Sequence, residues 1–498
     1  MSAFWSRTRI VATRVALCLG AAGLAAAPGA ASAQSLRDNR FALDLFQGPI
    51  LAPIGILGLG GAYAGYAEGI SGMVSNAAAP AVREPFSVSH FDYDATGSIS
   101  IPIPIFSNND FDNSGSLDFN YSNFIYGTLG GVVQYGALGA GFNLELQRYA
   151  LTDARGATTA VVIGKYHLLA GVRLIGDQLM IGAGARLASL NIDAPRPGPS
   201  AQAGTFGMFG AAPELGFLIR PDWQPFRFGG TLRLPVDGGA LAGGAAQTDT
   251  AGVQRSGGLI LPQHVILPWE IELGSAVQVG PRPLNPRWLD PRAQEEAIAD
   301  RFRRHRAERE AARAVELARI DDPAARARRT AQLDEAAAQA ARQDVIAERR
   351  AREDLARELR ARDANWPRAH LLLTADLLIT GPVDRGVGIQ GFLGQTQRDD
   401  RAGPSIVGRW GAAVNFSPRI GVEAEPVPGL VHTRLGSYYE PSRGGGTVGR
   451  QHFTFGADMR IFTTTWFGLV PEVAYKLQAS ADLAPRYQSV SLGAGVWH

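Results

Sequence analysis

Cysteine is almost absent: Cys18 is the only one in 498 residues, which leaves no intrachain disulfide and no cysteine-based metal site. Lysine is nearly absent too, with Lys165 and Lys476 alone, so the basic residues are almost all arginine. Charge of one sign is also missing. The 48 basic and 46 acidic residues leave +2, which implies no nucleic-acid partner. Catalytic patterns are lacking as well. The histidines (90, 167, 264, 305, 370, 432, 452 and 498) form no H-x-x-x-H or H-E-x-x-H pair. Gly69-Ile70-Ser71-Gly72 falls one residue short of a G-x-S-x-G elbow, and Gly58 to Gly65 lacks the third glycine of a dinucleotide loop. These gaps argue against an enzyme. An uncharged stretch from Gly48 to Ala67 is long enough to span a bilayer, but Pro49, Pro53 and six glycines make it a poor helix.

What is present begins with an export signal. Arg7, Arg9 and Arg14 precede a small apolar stretch from Val15 to Ala27, and Ala31-Ser32-Ala33 is an A-x-A cleavage pattern. Residues 1–33 are expected to be removed, Cys18 with them, leaving a mature chain that begins near Gln34.

Beyond residue 85 the dominant pattern is two-residue alternation, the period of a strand. Phe453, Phe455, Ala457, Met459 and Ile461 oppose Thr454, Gly456, Asp458 and Arg460. Leu371, Leu373, Ala375, Leu377 and Ile379 oppose Thr374 and Asp376. A soluble β-sandwich also alternates. The segments here run longer than ordinary strands, however, and suit a tilted membrane crossing. Fourteen are counted: 85–98, 119–134, 137–150, 158–174, 178–192, 205–220, 225–236, 262–280, 367–381, 405–417, 429–441, 450–462, 465–480 and 485–498. Connections after even segments are short, and those after odd segments (99–118, 237–261, 382–404) are longer. The expectation is an all-β chain: a 14-stranded antiparallel transmembrane barrel, with short turns in the periplasm and long loops outside.

One connection differs. Residues 289–366, between segments eight and nine, are rich in Ala, Arg, Glu and Asp. That composition favours helix. Ile320-Asp321-Asp322-Pro323 reads as a stop, an acidic cap and proline at a first helical position, giving helices over 291–319 and 323–363. Their apolar positions, among them Ile298, Phe302, Val315, Leu333, Val345, Ile346, Leu355 and Leu359, sustain no clean heptad. A solvated periplasmic hairpin is expected rather than a stable coiled coil. The domain order is therefore signal peptide 1–33, N-terminal plug 34–84, barrel strands 85–288, helical insertion 289–366 and barrel strands 367–498.

Several local motifs recur in an order that resembles the FadL-type outer-membrane transporters of long-chain fatty acids and other hydrophobic compounds. Gly58-Leu59-Gly60-Gly61-Ala62-Tyr63-Ala64-Gly65, followed by Ser75-Asn76-Ala77-Ala78-Ala79-Pro80-Ala81, is similar to the family's hatch, with the proline displaced to Pro80. Phe228 to Val236 and Leu261-Pro262-Gln263-His264-Val265 with Leu273-Gly274 resemble its seventh and eighth strands. His432 to Ser442 resembles a late strand before an outer loop. The resemblance implies a plug inside the barrel, hydrophobic capture in the outer loops and passive uptake without a cofactor. Gly60, Gly61, Tyr63, Gly65 and Asn76 are then plug or gate residues, with the Asn76 turn pinning the plug near the first strand.

The first long loop holds two further candidates. Ile101-Pro102-Ile103-Pro104-Ile105-Phe106 is an apolar run suited to landing a lipophile, unless it simply continues the first strand. Asp110, Asp112, Ser114 and Asp118 have the spacing of the first half of a calcium loop, although Tyr121 stands where the bidentate glutamate belongs. An Asx-turn explains the same residues. Lys165, His167, Arg173, Arg186, Arg227, Arg233, Arg434, Asp458 and Arg460 should face the lumen, and Arg173 and Arg434 are candidates to meet a substrate's carboxylate. The expected partners are outer-membrane lipid and lipopolysaccharide and a hydrophobic small molecule. The alternative function is a non-transporting scaffold whose insertion docks a periplasmic protein.

Overall fold

The computed structural model describes residues 38–83, 87–103, 110–111, 113, 121–152, 156, 158–194, 204–239, 241–243, 246–256, 259–396, 410–444, 449–464 and 473–497. Residues 1–33, expected as a signal peptide, and Gln34 lie outside them, as do Ile105, Phe106, Asp112, Ser114 and Asp118.

Alternating residues form long antiparallel strands because each strand has one apolar face to hide from water and one polar face to solvate. The strands are β1 (Phe91–Pro102), β2 (Tyr121–Tyr135), β3 (Leu138–Thr152), β4 (Thr158–Leu174), β5 (Leu179–Ala194), β6 (Gly204–Ile219) and β7 (Phe226–Arg233). They continue as β8 (Glu270–Val279), β9 (Leu371–Thr380), β10 (Asn415–Val427), β11 (Val431–Glu440), β12 (Arg450–Thr464), β13 (Val473–Ala484) and β14 (Tyr487–Trp497). Each pairs with its sequence neighbours, and β1 pairs with β14 (Thr96 opposite Gly495), so the sheet closes into a 14-stranded barrel. Closure leaves no strand edge unpaired, as a backbone in hydrocarbon requires.

The apolar residues point outward. Leu168, Phe453, Phe455 and Leu492 are exposed, Leu492 at 69%, while their neighbours His167, His452, Thr454 and Ser491 are buried within. Both chain ends of the barrel lie at one mouth, here called the terminal end. Its turns are short, and the hairpin Gly136-Ala137 uses Gly136 at φ +56. The segment after β8 also leaves from this end and forms α1 (Pro291–Ala318) and α2 (Pro323–Ala364). Asp322 caps α2 through the N–H groups of Ala324 and Ala325, as the acidic stop-and-cap pattern implied. The helices pack as a hairpin joined by ion pairs such as Arg329–Glu316 at 2.6 Å.

Several strand boundaries depart from the sequence reading, the first strand running Phe91–Pro102 where 85–98 was expected. Residues 262–280 were expected as one strand, but His264–Leu267 turns inward, and only Glu270–Val279 belongs to the wall. Likewise Val236–Gly239 leaves the expected 225–236 strand. Together with Ala42–Asp44 and Gly386–Gly388, these segments build a four-stranded sheet within the opposite mouth. Pro235 and Pro268 stand at the departures, where a wall strand loses a donor. The strand expected at 405–417 is placed at 415–427 instead.

Residues 38–83 fill the barrel as short pieces: Ile54–Gly58 and Gly69–Gly72 are helical, and Ala79–Ala81 is a 3-10 turn. An irregular backbone survives there because the wall supplies its hydrogen-bond partners. Asp376 accepts from Ala64 N–H at 2.6 Å, and Gln134 donates to the carbonyls of Pro80 and Val82 at 2.9 and 2.8 Å. The wall meets this backbone through glycine. A Cβ on Gly182 would lie 2.0 Å from the Ala77 carbonyl oxygen, and one on Gly436 would lie 2.2 Å from Gly60 N. Gly182→Val should therefore unseat the plug and cost about 1–3 kcal/mol by overpacking. Outward-facing Ala183→Val should not. Thermal unfolding with limited proteolysis of residues 38–83 checks this; equal behaviour of the two variants would contradict the seating.

Candidate functional site

The interior divides along the barrel axis into an apolar chamber, a charged cavity, the plug and a vestibule. The chamber lies in the mouth opposite the terminal end. Inward positions of β2 and β3 at this end carry Phe124, Tyr126 and Tyr149, all buried. Phe124 stacks on Tyr149 with centroids 4.8 Å apart, and Phe111 packs on Phe124 at 4.2 Å. These rings, with Phe46, Pro49, Leu51 and Ile389, line a cavity. The polar-inward rule misses this chamber. The signal in the sequence is the loss of alternation at Phe124-Ile125-Tyr126, where both faces are apolar.

Below it lies a cavity that shares Phe46, Gln47, Pro49 and Leu51 with the chamber. Its walls are charged. Arg233 is the hub, bonded to Glu214 at 3.0 Å and Glu272 at 2.9 Å; Arg186 joins Glu270 at 2.9 Å and Arg419 joins Glu272 at 2.9 Å. His167 completes the set on Glu214 at 2.7 Å. Lys165 borders the same cavity, with no hydrogen bond or ion pair among the described residues. Asn143, Glu145 and Gln147, at successive inward positions of β3, each leave a side-chain oxygen without a hydrogen-bond partner among the described residues. This combination of polar groups beside an aromatic chamber suits a lipophile with a small polar end.

The plug separates that cavity from a vestibule at the terminal end, lined by Tyr63, Tyr66, Glu68, Arg282, Glu423, Arg434 and Lys476. Glu68 in the plug is held below the usual carboxylate range: burial pushes its carboxyl up, and the Arg227 and Arg282 guanidiniums outweigh that.

The plug residues read from sequence all meet the wall or each other. Gly60 (φ +62) and Gly61 (φ +77) occupy left-handed backbone, and a Cβ on Gly60 would lie 2.7 Å from Ser437 N. Gly65 lies against Ser275 with the same restriction, and Tyr63 packs edge-on to Tyr66 at 5.2 Å. Asn76 does pin the plug, but not near β1. Its amide donates to the carbonyls of Ala64 and Phe217 at 2.9 Å, and Phe217 belongs to β6. The chain has to cross the barrel before it reaches β1, so its turn meets the far wall.

The other candidates are dispersed. Arg434 lines the vestibule, bound to Glu423 at 2.5 Å and Asp458 at 2.7 Å. Arg173 stands at the terminal rim, 4.6 Å from the Trp288 ring centroid. Arg460 pairs across the ladder with Lys476, which lines the vestibule, and is exposed near the terminal mouth. Ile101 lies in β1 and points outward at 49% exposure, and Ile103 follows the strand half-buried. Asp110 is fully buried, with Arg486 3.2 Å from its carboxylate, and it is the only described member of the calcium set.

No family model matches the chain, and neither does any curated protein. Solved structures do align with it. The CymD monoaromatic hydrocarbon channel is 8% identical over 90% of this chain and 96% of its own, with a TM-score of 0.41. A FadL homologue of Pseudomonas aeruginosa is 11% identical over 93% and 98%, with a TM-score of 0.43. The Pseudomonas putida toluene transporter TodX is 12% identical over 92% and 98%, with a TM-score of 0.42. Scores this low establish neither ancestry nor function, and the barrel rests on its own closed ladder.

Removing one partner of a buried charge set strands the others. Arg434→Ala should destabilise the barrel by about 3–5 kcal/mol, since Glu423 and Asp458 would stay buried without it. The unfolding midpoint measures this, and an unchanged midpoint would show that the pair contributes nothing net.

Proposed function

We propose that the protein is an outer-membrane channel of the FadL type that admits hydrophobic small molecules by diffusion, and is not an enzyme. The observation that carries this reading is the aromatic chamber that opens against the plug inside a closed barrel. A lipophile entering it leaves water for stacked rings, gaining roughly 25 cal/mol for each Å² of apolar surface covered. The adjoining charged cavity receives its polar end, and movement of the plug opens the vestibule. Fatty acids and aromatic hydrocarbons both fit this chemistry. The outward apolar face meets membrane lipid and lipopolysaccharide, and Ile101 and Ile103 stand where the outer leaflet and first loop meet. Arg434 would meet an acidic head group only beyond the plug, and Arg173 lies further along the exit.

In cells, Phe124→Asp or Tyr149→Asp should lower uptake of a fluorescent lipophile about tenfold or more, by placing an unpaired charge among rings. Outward Leu168→Asp at similar expression serves as the control for barrel damage. Undiminished uptake in both chamber variants would remove the chamber from the route.

Orientation is a separate matter. With α1 and α2 in the periplasm, a cysteine at Ala338 should resist a membrane-impermeant thiol reagent on intact cells. Ready labelling there reverses the orientation. Calcium at Asp110, Asp112, Ser114 and Asp118 is likewise separate: a chelator should then expose loop 99–118 to protease. Equal cleavage with and without chelator reduces the motif to an Asx-turn.

The scaffold reading draws on the hairpin itself, whose Val315, Val345 and Ile346 are exposed. A protein that co-purifies in equal amount through the hairpin, with an empty chamber, would favour it.

A further inference from the structure

Ten of the eleven residues between β8 and α1, Pro281 to Asp290, make no regular structure, yet they are tied to the plug and to the wall at once. Arg227 of β7 is the first tie. Its guanidinium donates to the plug at the Tyr66 carbonyl (2.9 Å) and binds Glu68 (2.7 Å). The same group donates to Asn285 Oδ1 (2.8 Å) and the Leu284 carbonyl (2.5 Å). One side chain therefore bridges plug and segment. Leu284 is itself buried in the cluster that contains Tyr63 and Tyr66.

Trp288 is the second tie. Its ring is flanked by Arg83 at 4.3 Å and Arg173 at 4.6 Å, and its Nε1 donates to the Ser87 carbonyl at 3.0 Å. Arg83 is the last described residue of the plug, and Arg173 belongs to the wall. The Asn285 amide fixes the segment's near end by donating to the carbonyls of Pro221, Gln224 and Phe226. Pro281, Pro283 and Pro286 hold φ near −65° and stiffen it.

The far end passes directly into the hairpin. Asp290 caps α1 through Arg292 N–H and binds His90 Nδ1 at 2.8 Å, just before β1. Arg292 donates to the Tyr135 hydroxyl at 2.6 Å, and Leu355 and Leu359 bury the base of α2. The 42 residues of α2 make a rod of about 63 Å, long enough to act as a lever on its root.

We propose that residues 281–290 are a strap that locks the plug in its closed seat, and that the helical hairpin holds the strap in place. Displacing the hairpin pulls Trp288 from between Arg83 and Arg173 and draws Asn285 and Leu284 off Arg227. The plug's C-terminal half, from Tyr66 to Arg83, then loses its support on the vestibule side. The barrel itself need not change, because the strap touches it only at the terminal rim.

Hydrogen exchange of the plug amides in full-length protein tests this without reference to transport, so it stands apart from the uptake reading. Trp288→Ala should raise exchange over residues 66–83 about tenfold or more, while barrel-strand amides stay at their original rates. Trp288→Phe, which keeps a ring between the two arginines, should stay within about twofold of the original protein. If Trp288→Ala gives no heat-modifiable barrel, Asn285→Ser makes the same comparison. Replacing residues 293–361 with a short Gly-Ser linker should also loosen the plug. Unchanged plug exchange in the strap variants overturns the strap. A loosened plug in those variants, with an unchanged one after hairpin replacement, overturns the hairpin's part.

Discussion

Backbone can lie on backbone only where no side chain stands between. That constraint sets the interior of this barrel. Gly182, Gly436 and Gly274 are wall positions at which a Cβ would collide with the backbone of the plug, and Gly60 and Gly65 impose the same condition from the plug's side. Because these contacts are main chain against main chain, neither partner can adapt by changing a rotamer. The plug has one seat, and a shift of a few ångströms breaks many contacts together rather than a few in turn. This all-or-none fit is what a gate needs. A plug held by long side chains would leak through intermediate positions.

Charge is arranged around that seat. Above the plug, Arg233 gathers Glu214 and Glu272; below it, Arg434 gathers Glu423 and Asp458. Such buried sets add little net stability, since each ion gives up its hydration. Their directional hydrogen bonds do fix the wall strands that the plug must match. Further up, His452 lies between Glu440 at 2.7 Å and Asp482 at 2.8 Å, and Tyr438 donates to Asp482 at 2.7 Å. Tyr438 also accepts from Ile50 N–H at 3.3 Å, so this network reaches the plug as well. Charged groups also border the aromatic chamber: Arg450 donates to the Phe111 carbonyl, and Arg443 lies 4.9 Å from the Phe46 ring centroid.

The barrel was legible because its period is simple. Most wall strands overlap an alternating segment over the greater part of their length, β10 being the exception with three shared residues, and the segment 158–174 coincides with β4 residue for residue. The helical hairpin was legible from composition and from the Asp322-Pro323 cap. Less of the site could be read. Val236–Gly239 pairs with His264–Leu267, which pairs in turn with Ala42–Asp44, and only this tertiary pairing shows that the two segments turn inward. Asp44, the anchor of that inner sheet, binds Arg443 at 2.7 Å across 399 positions of sequence, a separation no local pattern reports. The partner of Asn76 was misplaced for a related reason: a turn motif gives the local bend but not the wall it faces. The chamber was missed because inward positions were taken as polar throughout.

The central claim is that a hydrophobic small molecule occupies the chamber between the outer mouth and the plug. Mass spectrometry of the protein extracted from its own membrane in native lipid discs tests this most directly. The account predicts a lipophilic guest at up to one copy per barrel, lost when Phe124 is replaced by aspartate. An empty barrel, or a guest retained unchanged by that variant, would contradict it.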